Sequence, residues 1–325
     1  MDGGFTVTLN DGKVLWLFGD SYIDHYDSLT HTLPCLFQAR NSGLLQSSAN
    51  DWDWHNTMAL VDKSSSNKTF LKDKQHPDHF FWPGAGYQIK DTIFIYGMNM
   101  KNVKGGLGFG KAGNDGWIKL SYPSLKLLDI KELPSAMDSI QFGCGLVTDN
   151  NDGYAYIYGT KQKFISGDVY VARFPFDHPL NAWSFWNGSS WSENINEIKP
   201  VASSPSNSTT VSKIKNKYVM FTAEFSLGCD GGKNIYTLTS DHIEEPFSEP
   251  KIIYTINDSV QGHYPFFYLP IAHPDCINNK NELLVHYSIN GYEPCLVNCR
   301  DNKLDPEYYR PQAIRVPLNL LGINN

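Results

Sequence analysis

The chain begins with a hairpin pattern that decides its fold: Asp2-Gly-Gly-Phe-Thr-Val-Thr-Leu-Asn-Asp-Gly-Lys-Val-Leu-Trp-Leu-Phe-Gly-Asp20. Two apolar runs, residues 5–9 and 13–18, flank the turn residues Asn-Asp-Gly at 10–12. An Asp-Gly turn between such runs is the strongest short-range signal for a β-hairpin. If Leu9 lies opposite Lys13, the same register carries Asp2 opposite Asp20. We therefore expect two antiparallel strands whose open end brings two carboxyl groups together.

The expected pairing of Asp2 with Asp20 has a chemical consequence. Directly opposed residues have Cβ atoms about 4.5–5.5 Å apart, and carboxylates at about 5 Å repel by about 3 kcal/mol at an effective dielectric near 20. One carboxyl group would stay protonated near neutral pH while the other is ionised, which is what acid/base hydrolysis of a glycosidic bond requires. The alternative is that Asp2 belongs to an unstructured terminus and Asp20 only starts an Asx-turn before Ser21.

The composition of the 325-residue chain favours strands. Aromatic residues make up 14% and charged residues 19%, with a formal net charge of −7. Many aromatics with little charge are typical of β-structure and of sugar-stacking surfaces. The absence of a basic run argues against a nucleic-acid or anionic-membrane partner. No apolar stretch is long enough to span a membrane, and the first residues do not read as a signal peptide.

The opening hairpin has four weaker copies. Each has an apolar strand, a polar turn and a more hydrophobic second strand, at residues 86–97, 145–159, 210–222 and 266–287. The spacing of about 60–80 residues suits four-stranded propeller blades with loops. We predict an all-β fold: one five-bladed β-propeller of antiparallel four-stranded blades covering residues 1–325 as a single domain. We expect the last strand, residues 313–317, to close the ring by joining the first blade. A large β-sandwich or two small β domains are the alternatives.

In a propeller, the ends of the innermost strands surround one mouth, so candidate site residues should recur at equivalent places in the five hairpins. Asp2 and Asp20 are the catalytic candidates. The substrate-binding candidates are Arg40, Asn41, Trp82, Gln141, Thr160, Glu224, His263, Tyr264, Asn290 and Arg310.

Each candidate also has an ordinary structural interpretation. Glu224 is either a solvated strand end or a third carboxylate that tunes the pair, and His263 could be a plain loop histidine. Arg40 and its neighbour in Arg-Asn-Ser could hold a blade edge, Trp82 could belong to the core, and Arg310 could orient a carboxylate or join a buried network. The carboxylates of the polar segment 51–55 are interpreted as surface groups.

The cysteines and acidic residues predict no metal site. Cys295 and Cys299 bracket a short loop and could form a local disulfide in a secreted protein; free thiols are the alternative, because the spacing fits zinc patterns poorly. We expect no cofactor, and no carboxylate cluster favours a structural Ca²⁺.

The opening hairpin, followed by Arg40-Asn-Ser42, resembles a bacterial group of five-bladed propeller domains that is itself uncharacterised and is related to endo-D-arabinanases. The resemblance is specific over about the first 45 residues and departs at Ser21, where threonine is commoner. It implies carboxylates at the channel mouth, with the acidic pair on Asp2 and Asp20, and secretion, periplasmic export or cell-surface display.

The residues and the resemblance together predict a glycoside hydrolase that cleaves a polysaccharide. Asp20, at the end of an apolar strand, is the expected general acid, and Asp2 is the expected base. We expect inversion, because Gly3-Gly4 frees Asp2 from strict strand geometry. A non-catalytic, lectin-like propeller is the alternative, and a lyase or phosphorylase is less supported. We expect a monomer whose partner is an oligo- or polysaccharide.

Overall fold

The computed structural model describes residues 1–104, 108–137, 139–148, 152–226, 230–244, 246–291 and 299–323. Its strands form six antiparallel sheets, and there is no α-helix in these ranges. Short 3₁₀ turns occur at Trp54–Asn56, Ser135–Met137, Ile195–Glu197, Pro274–Cys276, Pro306–Tyr309 and Leu318–Leu321. Within the described ranges, no helix has the length and apolar character needed to cross a membrane.

The first two sheets contain the strands up to residue 132. Sheet 1 has the order β1-β2-β4-β5, and β3 pairs elsewhere: β1 (Gly3–Thr8), β2 (Val14–Phe18), β3 (Leu33–Pro34), β4 (Ser42–Gln46) and β5 (Thr57–Leu60). Sheet 2 has the order β6-β7-β9-β10, with β8 also paired to β7: β6 (His79–Ile89), β7 (Thr92–Asn102), β8 (Phe109–Lys111), β9 (Gly116–Ser121) and β10 (Leu127–Glu132).

Sheets 3 and 4 follow the same plan. Sheet 3 has the order β11-β12-β13-β14-β15, with β16 also paired to β13: β11 (Gln141–Val147), β12 (Tyr154–Gln162), β13 (Gly167–Pro175), β14 (Ser184–Trp186), β15 (Trp191–Ser192) and β16 (Ala202–Ser204). Sheet 4 has the order β17-β18-β19-β20: β17 (Thr209–Ile214), β18 (Lys217–Ala223), β19 (Asn234–Ser240) and β20 (Lys251–Thr255).

The last two sheets contain the C-terminal strands. Sheet 5 has the order β21-β22-β25, and a small sheet has the order β23-β24-β3: β21 (Phe266–His273), β22 (Glu282–Asn290), β23 (Cys299–Arg300), β24 (Lys303–Leu304) and β25 (Gln312–Pro317). The five hairpins predicted from the sequence are therefore the first two strands of sheets 1 to 5. Their second strands are the more hydrophobic because each has a strand on both sides and lies between packed faces.

The first strands of the five large sheets contact one another in a closed order. β1 contacts β6, β6 contacts β11, β11 contacts β17, β17 contacts β21, and β21 returns to β1. Apolar cores fill the spaces between successive sheets, for example Leu17 with Ile93 between sheets 1 and 2, and Tyr156 with Met220 between sheets 3 and 4. The first strands of the five large sheets therefore lie around one axis.

The expected ring closure is wrong in its detail. The last strand, β25, pairs with β22 inside sheet 5 and not with the first sheet. Chain segments from the two ends of the sequence meet instead in the small sheet, where β24 pairs with β3. A disulfide between Cys35 and Cys299 joins the same two segments.

The disulfide expected between Cys295 and Cys299 is therefore also wrong, because the partner of Cys299 is Cys35. Cys295 lies outside the described residues. Local spacing favoured a short loop, whereas the fold brings together two cysteines separated by 264 positions in sequence.

Candidate active site

The opening hairpin has the predicted register until its open end. Phe5 pairs with Leu17 and Thr8 with Val14, but the register shifts between Gly3 and Phe5, so that Gly3 pairs with Phe18. The backbone N–H of Asp2 donates to the carbonyl of Asp20 at 3.2 Å, and the N–H of Gly19 donates to the carbonyl of Asp2 at 2.9 Å. Asp2 and Asp20 are thus brought together, one position away from the predicted direct opposition.

The Asp2 carboxyl group lies over the backbone of Gly19, in space that any side chain at position 19 would need. Its Oδ2 accepts hydrogen bonds from the hydroxyl groups of Tyr309, at 2.7 Å, and Tyr268, at 3.0 Å. Burial raises the pKa of Asp2, and the two tyrosine hydrogen bonds oppose that rise by stabilising the ionised form. Asp2 is therefore held as an oriented acceptor.

Asp20 has a different environment, although it lies beside Asp2. Its side chain is buried, with 4% of the residue exposed, and burial, followed by the nearby charge of Asp2, raises its pKa to about 7. The guanidinium of Arg40 donates to both carboxyl oxygens at 3.2 and 3.3 Å and opposes the rise. The indole N–H of Trp82 donates to Oδ1 at 3.4 Å.

Arg40 is itself fixed by its surroundings. Its guanidinium lies 4.7 Å from the ring centre of Phe37 and 4.6 Å from that of Phe80. Its second terminal nitrogen donates to the side-chain oxygen of Asn102. Arg40 therefore binds the carboxyl group of Asp20 but does not line the cavity described below.

A cavity of about 500 Å³ opens onto the two carboxyl groups. Its wall is formed by residues of the first strands β1, β6, β11, β17 and β21, by residues of the second strands β7, β12 and β22, and by the segment just after β2. Aromatic rings dominate the wall, and Trp82 meets Phe109 edge-on at 4.5 Å between ring centres. Such a wall suits stacking against the apolar faces of sugar rings, with polar side chains for their hydroxyl groups.

A second cavity, of about 330 Å³, lies further along the same strands. Phe5 and Cys144 line both cavities. These two residues therefore separate the two spaces along the axis on which the first strands converge.

Four of the five first strands carry an irregularity near this axis. Their registers shift between Gly3 and Phe5 in β1, between residues 83 and 86 in β6, between 142 and 145 in β11, and between 268 and 271 in β21. A bulge bends its strand and redirects the neighbouring side chains. The residues just before each shift include Asp2, Trp82, Gln141 and Tyr268, all of which line the cavity.

Two buried histidines hold the bulge of β1. The hydroxyl of Thr6 and Nδ1 of His273 are 3.1 Å apart, Nε2 of His273 and Nδ1 of His286 are 2.7 Å apart, and Nε2 of His286 contacts the carbonyl of Gly3. Burial lowers the pKa of His286 to about 4 and that of His273 well below its usual range. Both rings are therefore neutral, and because the Gly3 carbonyl can only accept, each proton in the chain points from Thr6 toward Gly3.

Several predicted residues meet at this cavity. The lining includes Asp2, Asp20, Trp82, Gln141, Thr160 and Asn290.

Other predicted binding residues lie elsewhere. The side chain of Asn41 is fully buried and bonded to the backbone of Leu71 and Phe81, at 2.6 to 3.1 Å, so it holds the chain before β6. Glu224 accepts from the backbone N–H groups of Lys233, at 2.8 Å, and Asn234, at 3.1 Å, and so fixes the start of β19.

Three further candidates also lie away from the cavity wall. His263 pairs with Asp230 at 2.9 Å, and the ring of Tyr264 is covered by the ammonium of Lys233 at 3.5 Å. Arg310 pairs with Glu307 at 2.8 Å on the surface. In each case another side chain of the protein contacts the group that the sequence suggested for substrate.

The two tyrosines that bind Asp2 are not among the residues predicted from the sequence. Tyr268 lies inside a strand, two residues past its start, and reaches the cavity only because the strand bulges after it. Tyr309 neighbours the candidate Arg310, but its 3₁₀ turn directs the tyrosine inward and the arginine outward. Other lining residues that were not predicted are Tyr22, Phe37, Phe109 and Tyr308.

Solved structures similar to this chain share its fold over nearly its whole length. One, from Bacteroides ovatus ATCC 8483 and assigned as a hydrolase, has a TM-score of 0.75 at 20% identity and covers 97% of this chain and 85% of its own. An α-L-arabinofuranosidase from Podospora anserina has a TM-score of 0.55 at 10% identity, covering 97% and 89%. An endo-arabinase from Bacteroides thetaiotaomicron VPI-5482 has a TM-score of 0.53 at 12% identity, covering 97% and 94%.

At these identities the likeness shows the fold alone, an all-β architecture shared with propeller-like glycoside hydrolases. The comparison with curated proteins found no match. A family model described as a domain of unknown function, DUF5005, matches residues 1–319. Since that match covers nearly the whole sequence, the chain belongs to the DUF5005 family.

Proposed function

We propose that this protein is a glycoside hydrolase that cleaves an oligo- or polysaccharide by acid/base catalysis with Asp2 and Asp20. The observation that carries the proposal is the placement of two carboxyl groups in one aromatic-lined cavity with different partners. Glycosidic hydrolysis needs one carboxyl group protonated and one ionised at the same pH.

We assign the general acid to Asp20 and the base to Asp2. Burial, followed by the charge of Asp2, raises the pKa of Asp20 to about 7, which suits a group that stays protonated near neutral pH. The hydroxyl groups of Tyr268 and Tyr309 stabilise the ionised Asp2. Protonated Asp20 can then donate to the leaving oxygen, while Asp2 takes a proton from the attacking water.

We favour inversion at the anomeric carbon. An inverting pair needs room for water, with carboxyl groups about 6.5–9.5 Å apart, whereas a retaining pair lies about 5–5.5 Å apart. The register shift takes Asp2 out of direct opposition to Asp20, which supports the wider arrangement. Proton NMR of the first product formed tests this, because a retained anomeric configuration would contradict it.

The fold comparison supports a five-bladed propeller and an arabinan-like substrate. The five large sheets, with first strands in closed contact, are the proposed blades. Two of the similar structures are an arabinofuranosidase and an endo-arabinase. The disulfide between Cys35 and Cys299 supports an oxidising compartment, and hence secretion, the periplasm or the cell surface. We propose that a single domain acts as a monomer there.

The decisive experiment measures reducing-end release from a polysaccharide panel that includes arabinans. We expect turnover by the unaltered protein and a loss of about 10²- to 10⁴-fold in Asp20→Asn and Asp2→Asn, with sugar binding retained. An aryl glycoside with a good leaving group separates the roles, because it needs little acid assistance. Asp20→Asn should recover activity on it, and Asp2→Asn should not.

If either variant keeps more than about a tenth of the activity, the assignment of that residue is wrong. A tenfold loss of rate corresponds to only about 1.4 kcal/mol of barrier. In the lectin-like alternative, the same aromatic wall binds sugar without cleaving it. Sugar binding without turnover by the unaltered protein, on every member of the panel, would favour it.

A further inference from the structure

A cluster of potential metal ligands lies outside the cavity, on the segment that leads into β6. Asp73, His76 and His79 each offer a ligand atom, and these atoms all lie within 4.8 Å of one another. The carboxylate of Asp73 is 2.8 Å from Nδ1 of His76, and the rings of His76 and His79 stack with centres 4.9 Å apart. The three side chains therefore converge from one short stretch of chain.

His79 supplies a second and independent observation. Its Nδ1 is shielded from solvent and has no hydrogen-bond partner among the described residues. A buried polar atom left unpaired costs about 1–3 kcal/mol, so such an atom calls for a partner. A metal ion bound by this nitrogen, with Asp73 and His76 as its other ligands, would supply one.

Other histidine–aspartate pairs show what an ordinary surface pair looks like in this protein. Asp53 pairs with His55 at 2.7 Å, and Asp230 pairs with His263 at 2.9 Å. Neither pair gains a third ligand within the part of the chain that the structure describes. The cluster at residues 73–79 differs from them by its third ligand.

We propose that Asp73, His76 and His79 form a binding site for a divalent transition metal of the Zn²⁺ type. Two imidazoles and one carboxylate suit Zn²⁺, Co²⁺ or Ni²⁺, whereas Ca²⁺ and Mg²⁺ prefer oxygen ligands only. Zinc bonds of about 2.0–2.2 Å to nitrogen and oxygen would replace the present hydrogen bond of 2.8 Å between Asp73 and His76. Three protein ligands leave a fourth position for water.

The site would stabilise structure near the cavity and would not take part in the reaction. β6 begins at His79, and it carries Phe80, which packs on Arg40, and Trp82, which donates to Asp20. A metal at the start of β6 would anchor the strand that carries both aromatic rings. This inference does not depend on the proposed hydrolase activity.

The test is calorimetric titration of tag-free, EDTA-treated full-length protein with ZnCl₂. We expect one tight site per chain, and a fall in affinity of at least about tenfold in His76→Ala and in His79→Ala, because losing even a supporting contact of a ligand costs that much. His55→Ala and His263→Ala are matched controls that should bind as the unaltered protein does. Bound Co²⁺ should give the visible absorption bands of an ion with a low coordination number, and these bands should disappear in His76→Ala.

Either of two results would overturn the proposal. The first is the absence of Zn²⁺ binding by the unaltered protein, and the second is equal binding by His76→Ala and the unaltered protein. His76 is exposed, so its replacement should leave the fold intact even if His79→Ala does not fold. Asp73→Asn is a further variant for the Zn²⁺ titration, and its circular dichroism spectrum checks that it folds.

Discussion

At the scale of single residues, the pKa of Asp20 sets an expected pH limit on activity. Burial and the charge of Asp2 raise that pKa to about 7, and the proposed acid works only when protonated. The rate should therefore fall as pH rises through about 7, tenfold for each unit above it. The measurement is kcat/KM against pH on a polysaccharide substrate. A rate that stays level up to pH 9 would contradict the role of Asp20.

The tyrosines that bind Asp2 should set the acidic limit. Removing one hydroxyl, in Tyr268→Phe or Tyr309→Phe, deletes a hydrogen bond to a charged group, which is worth about 1.5–3 kcal/mol. The pKa of Asp2 should then rise, so the acidic limb of the kcat/KM profile moves to higher pH.

Tyr308 supplies the matched control for this experiment. It also lines the cavity, but its hydroxyl has no hydrogen-bond partner among the described residues. Tyr308→Phe should leave the acidic limb where it is. Equal shifts in all three variants would mean that the tyrosines act through packing and not through Asp2.

At the scale of the element, the bulge of β1 determines where Asp2 lies. Gly4 has a φ of +114°, and a Cβ there would lie 2.7 Å from the ring of His286. Gly4→Ala should therefore lower the free energy of unfolding by more than backbone strain of about 1–3 kcal/mol alone. It should also lower activity by moving Asp2.

Gly12 in the hairpin turn is a control that separates the cost of backbone strain from the cost of a side-chain clash. Its φ is +84°, but a Cβ there meets nothing within 4 Å. Gly12→Ala should cost backbone strain only and leave kcat unchanged. Chemical denaturation and steady-state kinetics of both variants check this, and equal effects would show that the contact with His286 does not matter.

At the level of the whole molecule, the Cys35–Cys299 disulfide joins the segment that carries β3 to the segment that carries β23 and β24. It closes a segment of 264 positions in sequence, and disulfides typically stabilise by about 2–4 kcal/mol. A reducing agent should lower the Tm of the unaltered protein. The variant Cys35→Ala/Cys299→Ala should start at the lower Tm and respond less to the reducing agent than the unaltered protein does.

The same reduction should lower activity, because the small sheet forms part of the cavity wall. Leu304 and Cys35 line the cavity, and the nearby Tyr309 binds Asp2. Thermal unfolding with and without reductant, followed by activity at 25 °C, measures both effects. An unchanged Tm under reduction confirmed by thiol titration would contradict this account of closure.

Local patterns in the sequence were enough to predict the five hairpins and the nearness of Asp2 and Asp20. Both are local: a turn signal fixes a register, and alternating apolar residues fix which strands are buried. The same locality explains why Trp82, Gln141, Thr160 and Asn290 could be predicted at the cavity. They lie at equivalent ends of repeated hairpins.

The partners of the two carboxyl groups and the contact between the two ends of the chain depend instead on residues that are far apart in sequence. Tyr268 and Tyr309 reach Asp2 from positions 266 and 307 residues away, and Cys35 meets Cys299 from the opposite end of the chain. Glu224 and His263 have polar groups suited to binding substrate, but in the fold they are bound by Lys233 and Asp230 instead. Pairings of this kind depend on how sheets pack around the axis, and no local pattern in the chain encodes that packing.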